Sequence, residues 1–197
     1  MAKKGKFKIK GDAPGTLVYF LNMDNQFLSI PIALGEKVKV KATIGKLEDA
    51  KVSGARETHV WESWLKDWNE TRERAGVLYK ALDKTDQPVD RAEIDKGFAQ
   101  LNQKTIDDVT KLVQTYPSSA IAPFVINDRF INYPNPSAAI KTYNMLDEAA
   151  KKSYYGKEAG EAISIMERTA IAKIPELSLP DTNGKALSLA SLRGKVV

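Results

Sequence analysis

The chain has 197 residues, enough for one large or two small domains with real cores. Its 43% hydrophobic and 28% charged residues are those of an ordinary globular protein, no apolar run reaches the roughly eighteen residues of a membrane span, and the lack of cysteine excludes a disulfide, a thiolate nucleophile or a thiolate metal site. The net charge of +5 comes from 30 basic and 25 acidic residues scattered along the chain, a mild basicity without the one-sided clustering of a nucleic-acid reader.

No apolar signal core follows Met1-Ala2-Lys3-Lys4-Gly5, which suits a cytosolic protein or an exported one without its leader. The first 56 residues read as an antiparallel sheet or small sandwich. Lys6-Phe7-Lys8-Ile9-Lys10 alternates as a polar edge strand or a frayed terminus would, and Gly11 to Gly15 is a loop. Thr16 to Leu21 is continuously apolar, as in a strand covered on both faces. Phe27 to Leu34 is a strand that Pro31 confines to an edge or a bulge. Lys37 to Ala42 alternates lysines towards water with valines inward, and Ile44 to Val52 adds a short strand. So thin a core needs a cover.

Residues 57–172 supply it as a helical region. From Glu57 to Leu82 apolar residues recur at three-and-four spacing, with Trp61, Trp64 and Trp68 on nearly one face. These tryptophans are either a ligand or interface platform or a seam joining sheet to helices, and their large buried area favours the seam. A second helix carries Ile94, Phe98, Leu101, Thr105, Val109 and Leu112 on one stripe, with Asp90 as its cap. Tyr116-Pro117-Ser118-Ser119 ends it and caps a third helix bearing Ile121, Phe124, Val125 and Phe130. Asn135-Pro136 opens a fourth, with Ile140, Tyr143 and Leu146 inward. Ser153 to Lys157 punctuates, and a fifth helix runs from Glu158 to Ile171, with Ile163, Met166 and Ala170 on its apolar side.

No catalytic constellation emerges. His59, the single histidine, lacks a nucleophile-like partner and reads as solvated or packed. No histidine pair or acidic triad has metal-ligand spacing, and Asp107-Asp108 and Asp147-Glu148 diverge on their helices. Phosphate-binding glycine loops are absent. No catalytic, cofactor-binding or metal residue is therefore assigned.

Residues 173–197 carry the most specific pattern. Two short apolar runs, Leu177/Leu179 and Ala186/Leu187/Leu189, flank Asp181-Thr182-Asn183-Gly184, and Asn-Gly predicts a β-hairpin. A helical turn from Leu189 to Arg193 follows, and Lys195-Val196-Val197 begins a run of the buried-strand type. Apolar residues at a chain end are expected in a fragment whose next domain is missing, the alternative being a short tail docked on the body.

Pro175-Glu176-Leu177-Ser178-Leu179, Asp181-Thr182-Asn183-Gly184-Lys185 and Leu189-Ala190-Ser191-Leu192-Arg193-Gly194-Lys195-Val196-Val197 resemble the opening of a thioredoxin-fold domain of the AhpC/TSA-type thiol-disulfide oxidoreductases. Members of that group often carry an uncharacterised β domain and a helical segment ahead of the catalytic domain. Phe7-Lys8-Ile9-Lys10-Gly11, Leu34-Gly35-Glu36-Lys37-Val38, Val52-Ser53-Gly54, Tyr116-Pro117-Ser118-Ser119 and Tyr155-Gly156-Lys157 resemble that region in order. An extra strand pair common in the family is short here.

The resemblance implies an α+β chain whose final hairpin opens a truncated thioredoxin fold. It also implies a role in cell redox homeostasis with the Trp-Cys-x-x-Cys chemistry elsewhere, a protein substrate or redox partner, and a periplasmic or cell-envelope setting, often through a lipid anchor. The front region would then recognise substrate or partner, or mediate oligomerisation such as a homodimer. The alternatives are a stand-alone envelope module for peptide or glycan, read through the sheet and the tryptophan helix, and a purely structural dimerisation domain.

Overall fold

The computed structural model describes residues 8, 10–12, 14–23, 25–43, 45–84, 88–171, 178–180 and 186–188. The architecture is α+β: antiparallel β-sheet at the front, then a helical region. Strands β1 (Leu17–Met23) and β2 (Gln26–Ile32) pair antiparallel, as do β3 (Lys39–Thr43) and β4 (Lys46–Ser53). Asn25, at φ 63°, takes the left-handed conformation that the tight β1–β2 turn demands. Most of the expected strand Lys6–Lys10 lies outside the described residues; Lys8 and Lys10 are described and belong to no strand.

The β1 run is not covered on both faces along its length. Val18 is buried, whereas Phe20 on the same face is 65% exposed and Tyr19 on the other face is 37% exposed. Only the base of the hairpin reaches the helices. There Val18 joins the core, and the Trp61 indole N–H donates to Ser29 Oγ at 2.9 Å. On the opposite face β2 meets the second hairpin. The Gln26 side chain donates to Gly45 O at 3.0 Å and accepts from Leu47 N at 3.1 Å, and Ile30 and Leu47 are buried. Pro31 sits in β2, which among the described residues pairs with β1 alone and so forms an edge, where a missing N–H costs little.

The expected inward valines of β3 are overturned. All five β3 residues are exposed, Val40 among them, and Val38 lies half-buried before the strand. The cause is strand order: β4 lies against β2, so Leu47 of β4 fills the seam and β3 is left outside.

Glu36 fastens the turn before β3 to the approach of the helices. Its carboxylate accepts from Ala33 N at 2.8 Å, Arg56 N at 3.1 Å and Arg56 Nε at 2.9 Å. Burial alone would raise its pKa, but these bonds and the guanidinium charge outweigh it and hold the carboxyl below its ordinary value. The stability this adds is fully present above the unfolded-state pKa and is lost as pH falls through the depressed folded value. A pH series of denaturant melts should therefore show wild type losing more stability on acidification than Glu36→Gln. Parallel profiles would remove Glu36 as the cause.

Gly54, at φ +91°, ends β4; a Cβ there would lie 2.4 Å from Lys37 O, so only glycine lets the two backbones meet. Helix α1 (Thr58–Leu82) follows, then α2 (Pro88–Thr115). The pair is antiparallel, since Tyr79 meets Phe98 at 4.8 Å while Glu70 meets Lys104 at 3.8 Å. Asp90 is not the cap of α2. The helix starts at Pro88, whose fixed φ suits a first position, and Asp90 lies inside the first turn, where its charge favours the helix dipole.

Helix α3 (Ala122–Ile126) runs directly into a π-helix, Asn127–Ile131. Ser119 precedes α3 rather than capping it; its Oγ accepts from Ile121 N at 3.1 Å and donates to Glu57 at 2.5 Å. Helix α4 (Pro136–Asn144) opens as expected, with Asn135 accepting from Ala138 N at 3.2 Å. Its expected inward residues do face the core, Leu146 buried and Ile140 and Tyr143 half-buried against it, and Ala138, Ala139 and Thr142 are buried beside them. Thr142 tolerates burial because its hydroxyl donates to Ala138 O at 2.7 Å.

After α5 (Glu148–Lys151), helix α6 (Tyr154–Ile171) begins four residues earlier than expected, at Tyr154. Ser153 caps it by accepting from Gly156 N at 3.1 Å. Val109, Val113, Ile121, Ala122, Val125 and Ile126 form the fully buried centre of the core. In the tail, β5 (Ser178–Pro180) and β6 (Ala186–Ser188) pair antiparallel, Leu179 opposite Leu187, as the Asn-Gly pattern predicts. The turn between them and residues 189–197 lie outside the described residues.

Candidate functional site

The three tryptophans do share one face of α1, and the structure turns that face into the helical core. Trp61 is 6% and Trp64 3% exposed, and Trp68 is half-buried. Trp61 meets Phe124 edge-on at 5.5 Å, and Phe124 meets Tyr155 at 4.8 Å. The Tyr155 hydroxyl accepts from Val18 N at 3.1 Å. These contacts close a ring from β2 through α1, α3 and α6 back to β1. The faces of Trp61 and Trp64 are occupied by packing.

Trp64 stacks on Trp68 at 5.9 Å with an interplanar angle of 11°. The Arg129 guanidinium lies 3.9 Å from the Trp68 ring centroid and 5.5 Å from that of Tyr133. Arg129 thus sits between aromatic rings as a cation–π bridge from α1 to the π-helix. Its Nε and Nη2 both donate to Asp128 Oδ2, at 2.9 and 2.6 Å. Sequence reasoning did not pick out this pair. The available signal was an Asp-Arg dipeptide set within the apolar stretch from Phe124 to Ile131.

The π-helix shapes its own surroundings. Asn132 N donates to Asn127 O at 2.9 Å, the five-residue step of a π-turn, which stacks Asn127 and Asn132 along one wall. They border a cavity of about 300 Å³. Phe124, Ile131 and Tyr155 form its apolar walls, and Asp128 and Glu158 add carboxylates. Asn127 Nδ2 donates to Tyr155 O at 3.3 Å, while Asn127 Oδ1 is buried without a hydrogen-bond partner. Glu158 accepts from the Tyr154 hydroxyl, which raises the pKa of that tyrosine. Burial raises that of Tyr155, and the Val18 N–H offsets part of the rise. Both phenols are protonated at neutral pH.

A wider groove of about 560 Å³ lies between Tyr143, Lys151 and one stripe of α6 that includes Lys157, Ser164 and Arg168. His59 is exposed, with Nδ1 3.0 Å from Arg56 O and its ring edge-on to Tyr116. Asp107 accepts from Gln103 and Asp108 from Lys104, so each carboxylate serves its own helix. Among the described residues no cluster of three histidines or carboxylates forms a metal site, and no helix is long and apolar enough to cross a membrane.

Comparison of the chain with protein-family models, with curated proteins and with solved structures finds no match.

Proposed function

We propose that this chain is the non-catalytic front region of a thioredoxin-like thiol-disulfide oxidoreductase of the cell envelope, recognising a protein substrate or redox partner. The observation that carries this reading is the tail. Its ordered Pro-x-Leu, Asp-x-Asn-Gly-Lys and Leu-x-x-Leu-x-Gly-Lys-Val-Val pattern resembles the opening of such a domain, and β5 and β6 pair in the hairpin that pattern calls for. Two further features suit a recognising rather than a reacting part. The sequence offers no cysteine. The β1–β2 hairpin turns Phe20 and Phe27, 65% and 66% exposed, outward on one face, the kind of apolar surface that partners cover.

The chemistry itself would need a low-pKa cysteine to attack a disulfide and a second to resolve the mixed species. Disulfide reduction, followed with insulin and a dithiol donor, is therefore expected to be absent for this chain. It should appear in a longer chain carrying Trp-Cys-x-x-Cys after the tail. Equal activity in both would overturn the proposal.

A further inference from the structure

We infer that two copies of this chain pair through the outer edge of β1, joining their first hairpins into one continuous sheet. The Val18 N–H leaves the hairpin to reach Tyr155, so the Val18–Pro31 pair turns its peptide groups outward. The alternation of an antiparallel ladder turns those of Phe20 and Asn22 outward as well. Among the described residues no strand takes up that side. The neighbouring strands carry devices that keep an edge from pairing: Pro31 in β2, and in β3 the exposed Lys39 and Lys41 with a register shift between Lys41 and Thr43. Strand β1 has none of these. Leu17–Met23 contains no charge, proline or bulge, and Tyr19 and Phe20 are 37% and 65% exposed.

The strand is matched to itself. Tyr155 occupies the Val18 N–H, so the free stretch runs from Tyr19 to Met23 and is centred on Leu21. A two-fold axis at Leu21 sets Phe20 opposite Asn22 of the second copy, where the two residues exchange both peptide hydrogen bonds. On the other face Leu21 meets Leu21 of the second copy and Tyr19 meets Met23, apolar against apolar with no like charges opposed. The outer strands are then both β2, blunted by Pro31 and by the second hairpin lying against it, so the assembly closes as a dimer instead of growing. A strand edge buries far less than the roughly 800 Å² per partner of a standard interface, so the dimer is weak and reversible. The inference is independent of the thioredoxin-like reading, which is tested by reductase activity and not by mass.

The test is sedimentation velocity of the chain from micromolar to millimolar concentration, which should show monomer passing into dimer. Asn22→Pro removes an outward N–H, as Pro31 does in β2, and should abolish the dimer. Phe20→Lys puts a charge on the exposed edge without touching the core, and should abolish it even where the proline distorts the hairpin. Phe27→Lys, equally exposed but on β2, should leave the dimer intact. Single cysteines read the register, since the chain has no cysteine of its own. Opposed residues in a pair without hydrogen bonds lie about 4.5 Å apart at Cα, within disulfide reach. Leu21→Cys should therefore oxidise to a covalent dimer, and Phe27→Cys should stay monomeric. A wild type that remains monomeric at millimolar concentration, a dimer lost equally in Phe27→Lys, or a Leu21→Cys variant that cross-links no better than Phe27→Cys would overturn the inference.

Discussion

Replacing Trp64 with alanine is expected to destabilise the protein by about 3–5 kcal/mol, the range for emptying a core site of this size. Trp64 is 3% exposed and supports a stack on its outer side: Trp68 lies against it at 5.9 Å, and Arg129 lies over Trp68 at 3.9 Å. Removing the inner ring leaves a void and lets the outer layers shift. Trp68→Ala should cost clearly less, because Trp68 is only half-buried and its loss empties no enclosed volume. In thermal melts Trp64→Ala should lower Tm by roughly 6–20 °C for a chain of this length. The ordering is the sharper test. If Trp68→Ala were the more damaging of the two, the assignment of the tryptophans to a core seam would be wrong.

Gly156→Ala is expected to cost about 3 kcal/mol, at the upper end for overpacking. An added Cβ would lie 2.1 Å from Ala150 O and 2.6 Å from Lys151 O. Both are backbone atoms, so no side-chain rotation relieves the clash, and the α5–α6 corner must open. The neighbouring Tyr155 would move with it, loosening its bonds to Val18 and Asn127. Gly76→Ala is the natural comparison. That glycine lies inside α1, a Cβ there meets nothing within 4 Å, and the change should stabilise by roughly 0.5–1 kcal/mol through helix propensity. Chemical denaturation of the two variants should therefore move in opposite directions. A neutral Gly156→Ala would mean that the corner is not tightly packed.

Much of this was legible in local pattern. The spacing of Trp61, Trp64, Leu65 and Trp68 sets the buried face of α1, and Asn135-Pro136 marks the start of α4 to the residue. Those signals are local, and local physics decides them. The misreadings came where tertiary neighbours decide. Val40 alternates with lysines as a core valine would, but whether its face is covered depends on which hairpin strand lies against β2. The stretch from Ser153 to Lys157 reads as punctuation between helices. In the fold Gly156 is what allows α6 to start against α5, and Ser153 is the cap. The π-helix left no such trace: Ile126 and Phe130 are four apart, an ordinary α-helical step, so the sequence reads there as one continuing α-helix. Of the candidate site, the tryptophans were visible as a set. The unpaired oxygen of Asn127 was not, since it exists only through what surrounds it.

The hydrogen bond from Val18 to Tyr155 spans 137 positions, and it sets a schedule for synthesis. At about 5–20 residues per second, Val18 joins the growing chain roughly 7–27 s before the tyrosine that bonds it. Trp61 of α1 can reach the hairpin early, but the Val18 N–H waits for its partner until nearly the whole helical body has been made. Closing that bond is therefore a late, non-local step in folding, of the kind that slows a chain more than it weakens it.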